Sequence, residues 1–327
     1  MNDRENWLET IRPRGRPERL CIQYQPTRLI TSDPIYPGDF GPRRRGSNCA
    51  DWFGVPILWP AEQCGAMPGA PVCPDVTRWR EFVRFPDVSA ITEGWERALA
   101  DVAAVDRERE LVMCFMGAGV FERLHFLLGF EEALVALLTE PEDTLELVEA
   151  IGAYRLAYAR RLVEMLHPDV ILSHDDWGSK DSLFFSPQVF RTYFKPQYRR
   201  IYGYLREQGV IIMHHADSYL EPIVDDMVEL GIHIWQGALP SNDLRAVQRR
   251  VRGQMTIMGG IDAGVVDRAD ATEEEIRAEV SAACRAYAPQ GHFIPCLTYG
   301  RAGSIFPHVD PIINDEIGRW NAAHGGA

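Results

Sequence analysis

The sequence predicts a closed (β/α)8 barrel, an α/β TIM barrel with a loop-rich N-terminal cap segment. Three observations carry that expectation. Short apolar runs of strand length alternate with helical patterns from Leu111 to the end, which is the rhythm of a parallel sheet. Seven or eight such runs are present, a number that favours closure over an open sheet. Five consecutive runs end in polar side chains, as in a barrel whose strand C-termini face one shared pocket.

Taken in order, Glu5 to Ile11 reads as a short amphipathic helix and Arg19 to Tyr24 as the first strand. Residues 31–75 are rich in Pro, Gly and Arg and show no helical pattern; a stretch of that length reads as a functional loop or cap, with a small hairpin expected within Asp51 to Trp59. Ile91 to Val105 is helical, and Leu111 to Met116 is a buried strand. Gly119 to Leu166 reads as successive helices broken at Gly129 and Pro141. Val170 to Ser173 is a strand that runs into His174, Asp175, Asp176 and Trp177, and Pro187 to Gln208 is a long helix. The central strand, Val210 to Met213, runs into His214, His215, Ala216 and Asp217. A helix with Leu220, Ile223, Val224, Met227 and Leu230 on one face follows, and Gly231 stops it. Then come strand Ile232 to Trp235, helix Asn242 to Arg250, and strand Met255 to Met258 ending in Gly259, Gly260, Ile261 and Asp262. Thr272 and Glu275 form a capping-box pattern at the start of helix Glu273 to Ala288. His292 to Pro295 is the last strand, ending at Cys296, and a helix near Pro311 to Ala323 closes the chain. No boundary or repeat divides residues 1–327, which read as one barrel domain.

The 327 residues, 46% of them hydrophobic, suffice for one large core. A net charge of −13, from 34 basic and 47 acidic residues, argues against nucleic acid or an anionic membrane as partner. No apolar run approaches the roughly 20 residues needed to span a bilayer. The polar, acid-bearing start MNDRENWLET does not read as a signal peptide. Seven scattered cysteines read as reduced thiols of a cytoplasmic protein.

The chemistry-bearing residues lie at the strand ends: Asp175 and Asp176, then His215 and Asp217, then Gln236, Asp262, and finally Cys296 and Thr298. His215 and Asp217, two apart across a strand end, can point into one space, and Cys296 can converge on them. Three such ligands suit zinc and leave one position open for a substrate. The competing reading makes His215 a hydrogen-bonded pocket residue and Cys296 a small buried hydrophobe. His214 points away from His215 if the pleat persists, and so reads as structural. Adjacent Asp175 and Asp176 cannot both face the pocket; one binds a polar or cationic group and the other caps the next segment. Trp177 and Trp235 read as pocket wall or as packing. The run GPRRRGS, with Arg43 to Arg45, reads as a solvated loop or an anion site. Glu122 and Arg123 follow a Gly-rich turn that lacks the spacing of a nucleotide fingerprint.

The order of these pieces resembles the uroporphyrinogen decarboxylase superfamily, most closely the branch of corrinoid-dependent methyltransferases. The segment DDWGSKDSLFFSPQVFRTYFKPQYRRI, the element Asp51 to Val55, the helical stretch from Gly119 to Glu142, the turn His215-Ala216-Asp217-Ser218 and GGID at Gly259 to Asp262 carry the resemblance. The resemblance implies a (β/α)8 barrel, often a homodimer, acting on a small-molecule substrate. It also implies a zinc held by the His and Cys of an H-x-C turn and by a later Cys, and a methyl group exchanged with a corrinoid protein. Here His215 matches, Asp217 stands in place of the first Cys, and Cys296 falls near the second. On this reading His215, Asp217 and Cys296 hold the metal, Asp176, His215 and Asp217 are catalytic, and Asp175, Trp177, Gln236, Asp262 and Thr298 bind substrate. The rivals are metal-free decarboxylation of a tetrapyrrole or other polycarboxylate, although the decarboxylase's R-Q-A-G-R motif is absent, and a non-catalytic corrinoid- or tetrapyrrole-binding protein.

Overall fold

A computed structural model describes residues 1–41, 44–61, 66–298 and 306–324. Among these residues seven parallel strands form one curled sheet: β1 (Thr27–Ile30), β2 (Leu111–Met116), β3 (Val170–His174), β4 (Ile211–His215), β5 (Ile234–Ala238), β6 (Thr256–Ile261) and β7 (Phe293–Leu297). Spatial order equals chain order, and helices lie between successive strands, giving the barrel-type α/β fold that the alternation predicts. All six residues of β2, β6 and every residue of β5 and β7 are buried. That burial on both faces is why these segments read as continuous apolar runs rather than alternating ones.

The helix breaks follow local chemistry. Helix α1 (Asp3–Ile11) starts with a capping box between Asn2 and Glu5. Helices α2 (Val120–Leu128) and α3 (Phe130–Thr139) are separated at Gly129, whose φ of 95° is one that L side chains rarely adopt. Helix α4 (Pro141–Leu166) begins at Pro141. The run expected as one helix from Pro187 to Gln208 contains a π turn at Phe190–Phe194 before α5 (Lys195–Glu207). Pro196 explains it: with no N–H for the carbonyl four residues back, the backbone widens and Lys195 donates to Phe190 instead.

Two early expectations are corrected. Arg19 to Tyr24 is not a strand; the first strand starts at Thr27. Side chains take the place of a ladder there. Asn6 accepts from the N–H of Glu18 and of Arg19 and donates to the Arg19 carbonyl, while the Asn321 amide accepts from Leu20 N–H at 2.9 Å and donates to Leu20 C=O at 3.0 Å. The cap segment is also more ordered than its composition suggests. It contains a short helix, Tyr36–Phe40, started by the Asp33 carboxylate, and an antiparallel sheet of Ser47–Ala50, Pro56–Trp59 and Met67–Pro68. Of the Arg43–Arg45 run, Arg43 lies outside the described residues.

A buried ionic clamp ties this segment to the barrel. Arg123 on α2 donates to the carboxylates of Asp51 and Asp39 and to the Asp39 carbonyl, and Arg155 on α4 donates to Asp39 at 2.7 Å. Tyr154 and Tyr158 donate to Asp39 and Asp33, and the Arg123 guanidinium lies 4.3 Å from the Phe53 ring centre. These groups are all buried, so each charge depends on its partners.

Replacing Asn321 with Ala leaves the half-buried Leu20 N–H and C=O without partners, and should cost about 1–2 kcal/mol in denaturant unfolding. An unchanged midpoint would show that water takes over both bonds.

Candidate metal centre at the strand ends

The polar residues reach one place because the strands end in register. His174 on β3 lies opposite His215 on β4, which lies opposite Gln236 on β5. The two imidazoles stack with centres 4.4 Å apart. Beyond each histidine the chain repeats the same spacing, His174-x-Asp176 and His215-x-Asp217. His174, Asp176 and His215 each offer a ligand atom, and the three atoms lie within 4.8 Å of one another.

Each histidine is gripped by its Nδ1. His174 Nδ1–H donates to Glu122 at 2.9 Å, since a carboxylate only accepts. Glu122 in turn accepts from Gly119 N–H at the first turn of α2. His215 Nδ1 meets Gln236 Oε1 in a short contact. That leaves the Nε2 atoms for a ligand. His215 Nε2 lies 3.8 Å from Asp176 Oδ1, and Asp217 N–H donates to the same carboxylate oxygen at 3.1 Å.

The charges interlock. Burial opposes the charged ring of His174, but Glu122 outweighs it and raises the imidazole to about 9. Burial likewise opposes ionisation of Glu122, yet His174 holds it down to about 2. His215 is pushed well below the histidine range by burial and by the His174 charge, and so stays neutral. Burial, with the Asp217 carboxylate next to it, pushes Asp176 up, and burial raises Asp217 to about 6 against the pull of His174.

The other expected site residues have different surroundings. Asp175 is fully buried and turned away from Asp176; it accepts from Phe121 N–H, Glu122 N–H, Trp177 Nε1–H and the Tyr198 hydroxyl. Burial, with Glu122 near, raises its carboxyl to about 6. Trp177 packs against Phe190, Tyr198 and His214 with no exposed surface. His214 stacks on Trp177 and pairs with the Tyr202 hydroxyl, on the face opposite His215. Asp262 caps the short helix Ala263–Val266 through Gly264 N–H. Thr298 is buried just past β7, its carbonyl 3.0 Å from where a Cβ on Gly237 would stand. Cys296 is buried, its thiol pushed up by burial, and Gln236 donates to it. Neither Asp217 nor Cys296 belongs to the cluster of three ligand atoms; His174 and Asp176 do. Six of the cysteines are free thiols, and Cys64 lies outside the described residues.

His174 and Glu122 are the residues that sequence reasoning passed over. The signal for His174 was available: a second H-x-D at the end of the preceding strand. Glu122 had no such signal, because its role depends on how α2 sits over β3.

The donor set fits a metal. Two imidazole nitrogens and one carboxylate oxygen, each imidazole oriented by an outer hydrogen bond, suit zinc with a position left open. His215 Nε2 and Asp176 Oδ1 face each other as two acceptors unless a proton or a cation lies between them.

Residues 97–311, well over half of the chain, match the family model of uroporphyrinogen decarboxylase (URO-D). The chain belongs to the uroporphyrinogen decarboxylase family. Its family fold is shared with a solved structure, a methyltransferase from Methanosarcina mazei, which superposes with a TM-score of 0.70 over 98% of this chain and 99% of that one at 12% identity. A structure described as a sugar phosphate isomerase/epimerase from Anabaena variabilis (TM-score 0.40, 10% identity, 75% of this chain and 87% of that one) carries no argument. The same holds for a 3-keto-L-gulonate-6-phosphate decarboxylase from Vibrio cholerae (0.30, 11%, 69% and 81%). No curated protein matches the sequence significantly. Among the described residues of this family member, no helix is long and apolar enough to cross a membrane.

The His174–Glu122 pair sets a pH window for the metal-free protein. The raised histidine stabilises fully below its ordinary 6.5 and loses that contribution as pH rises through about 9; the lowered glutamate stabilises above 4.5 and loses it as pH falls through about 2. The two shifts describe one interaction and are not additive. NMR titration should find His174 still protonated at pH 7, and Glu122→Gln should return it toward the ordinary histidine range. An unchanged titration in that variant would refute the assignment.

Proposed function

We propose that this family member is a methyltransferase that moves a methyl group between a corrinoid carrier and a small acceptor or donor, with a zinc ion held by His174, Asp176 and His215. One observation carries the reading: the two imidazoles and the carboxylate that converge where β3 and β4 end. Family membership and the fold shared with a methyltransferase support it. A bound zinc would supply Lewis acidity, lowering the proton affinity of a substrate group that meets it. The chain's own residues do the rest. Glu122 and Gln236 orient the imidazoles, Asp217 lies beside Asp176 ready to accept a proton from substrate, and Phe115 packs edge-on against the His174 ring.

The donors differ from a thiolate-rich set. With Asp176 in and Cys296 out, the site is harder and presents less electron density to the metal. A second reading has its own support. Asp176, with raised proton affinity beside cationic His174, suits metal-free decarboxylation of a polycarboxylate: the C–C bond breaks, carbon dioxide leaves, and the electron pair left on carbon takes the Asp176 proton.

Untagged protein grown with ample zinc should carry about one zinc per chain. His174→Ala and His215→Ala should lose it, together with methyl transfer from methylcobalamin. Full transfer in either variant, or absence of zinc from the wild type, would overturn the proposal. Loss of carboxylates from uroporphyrinogen would put the second reading in its place.

A further inference from the structure

Gln236 stands between two residues that the sequence pattern would place on a metal. Its Oε1 meets His215 Nδ1, and its amide N–H donates to the Cys296 thiol. The amide oxygen faces Nδ1 and the amide N–H faces the thiol. The oxygen can only accept, so His215 carries its proton on Nδ1 and presents Nε2, as a lone pair, toward Asp176 3.8 Å away. The reverse orientation would put an N–H against Nδ1 and move the proton to Nε2, where it would block a ligand.

The backbone holds this amide in place. Gln236 is fully buried, and the pairing of β5 with β6 shifts register between Gln236 and Ala238. The residue in between, Gly237, has a φ of 92° and passes 3.0 Å (measured from an added Cβ) from the backbone of Ala216 and of Thr298. A side chain there would collide with the end of β4. The bulge therefore aims Gln236 across at His215 and Cys296 rather than along the strand.

We infer that Gln236 is the positioning residue that fixes the His215 tautomer, and that Cys296 serves as the anchor behind Gln236 rather than as a metal ligand. The inference rests on the zinc reading of this site and gives it an outer shell: Glu122 behind His174, Gln236 and then Cys296 behind His215. It also explains why a buried cysteine sits in the last strand of a site whose cluster of ligand atoms holds no sulfur.

Two measurements on the full chain test it. The first is the His215 tautomer in metal-free protein labelled with 15N-histidine. The wild type and Gln236→Glu should show Nδ1–H, and Gln236→Leu should lose that preference. The second is zinc affinity by competition with a chromophoric chelator. Gln236→Leu should weaken binding by about 10–100-fold, the usual effect of removing an outer-shell partner. Gln236→Glu, which keeps an acceptor at the same place, should stay within a few-fold of wild type, and so should Cys296→Ala. Nε2–H in the wild type, or wild-type zinc affinity in a folded Gln236→Leu, overturns the role of Gln236. Loss of zinc in Cys296→Ala overturns the role of Cys296. If no variant and not even the wild type binds zinc, while the tautomer still depends on Gln236, the positioning role stands and the zinc reading falls.

Discussion

The site depends on one buried carboxylate that never reaches it. Asp175 accepts four hydrogen bonds, two from the first turn of α2, one from Trp177 and one from Tyr198. A carboxylate at a helix N-terminus satisfies N–H groups that have no partner inside the helix and lies at the positive end of its dipole. Because Asp175 is pinned, its two chain neighbours project elsewhere, and both neighbours, His174 and Asp176, are in the ligand cluster. The same bonds draw α2 down over β3 and bring Glu122 to His174. The approach is close: a Cβ on Gly119 would stand 2.2 Å from the Asp175 Cβ, so this turn requires glycine. Strand end, helix start and outer hydrogen bond thus form one mechanical unit.

That unit separates what the sequence shows from what it hides. Alternation and apolar runs reveal the strands from β2 onward, and polar strand ends reveal the rim, because both depend on local composition. Capping at Thr272 and the breaks at Gly129 and Pro141 are local as well. The direction of a side chain past the last ladder bond is not local. Asp175 and Asp176 are the same residue type, and the hydrogen bonds from α2, Trp177 and Tyr198 decide which of them is held away from the site. Arg19 to Tyr24 has the composition of a strand, but its backbone partners are amides from residues 6 and 321, far away in the sequence. Cys296 sits where a metal-ligand pattern wants it, yet its hydrogen-bond partner is Gln236, a contact that no spacing rule reports.

The charge layout has its own economy of means. One positive ring, His174, faces three carboxyl groups: it holds Glu122 down to about 2, while burial outweighs its pull and keeps Asp176 and Asp217 above the ordinary carboxylate range. Groups held apart in this way can hold a cation, or hand a proton on, without moving the backbone. Family membership supplies the frame for such chemistry, while the donor atoms of this chain determine which version of it the site suits.

The clamp of Arg123 and Arg155 on Asp39 and Asp51 has a consequence for access. A segment of loops at the rim of a barrel invites description as a gate. To swing outward, this one would have to pull two carboxylates from two guanidinium groups that no water reaches. The tyrosine hydrogen bonds to Asp39 and Asp33 and the stacking of Arg123 on Phe53 would have to break in the same movement. The described parts of this segment, residues 31–41 and 44–61, are therefore tied to α2 and α4 as a wall rather than hung as a gate.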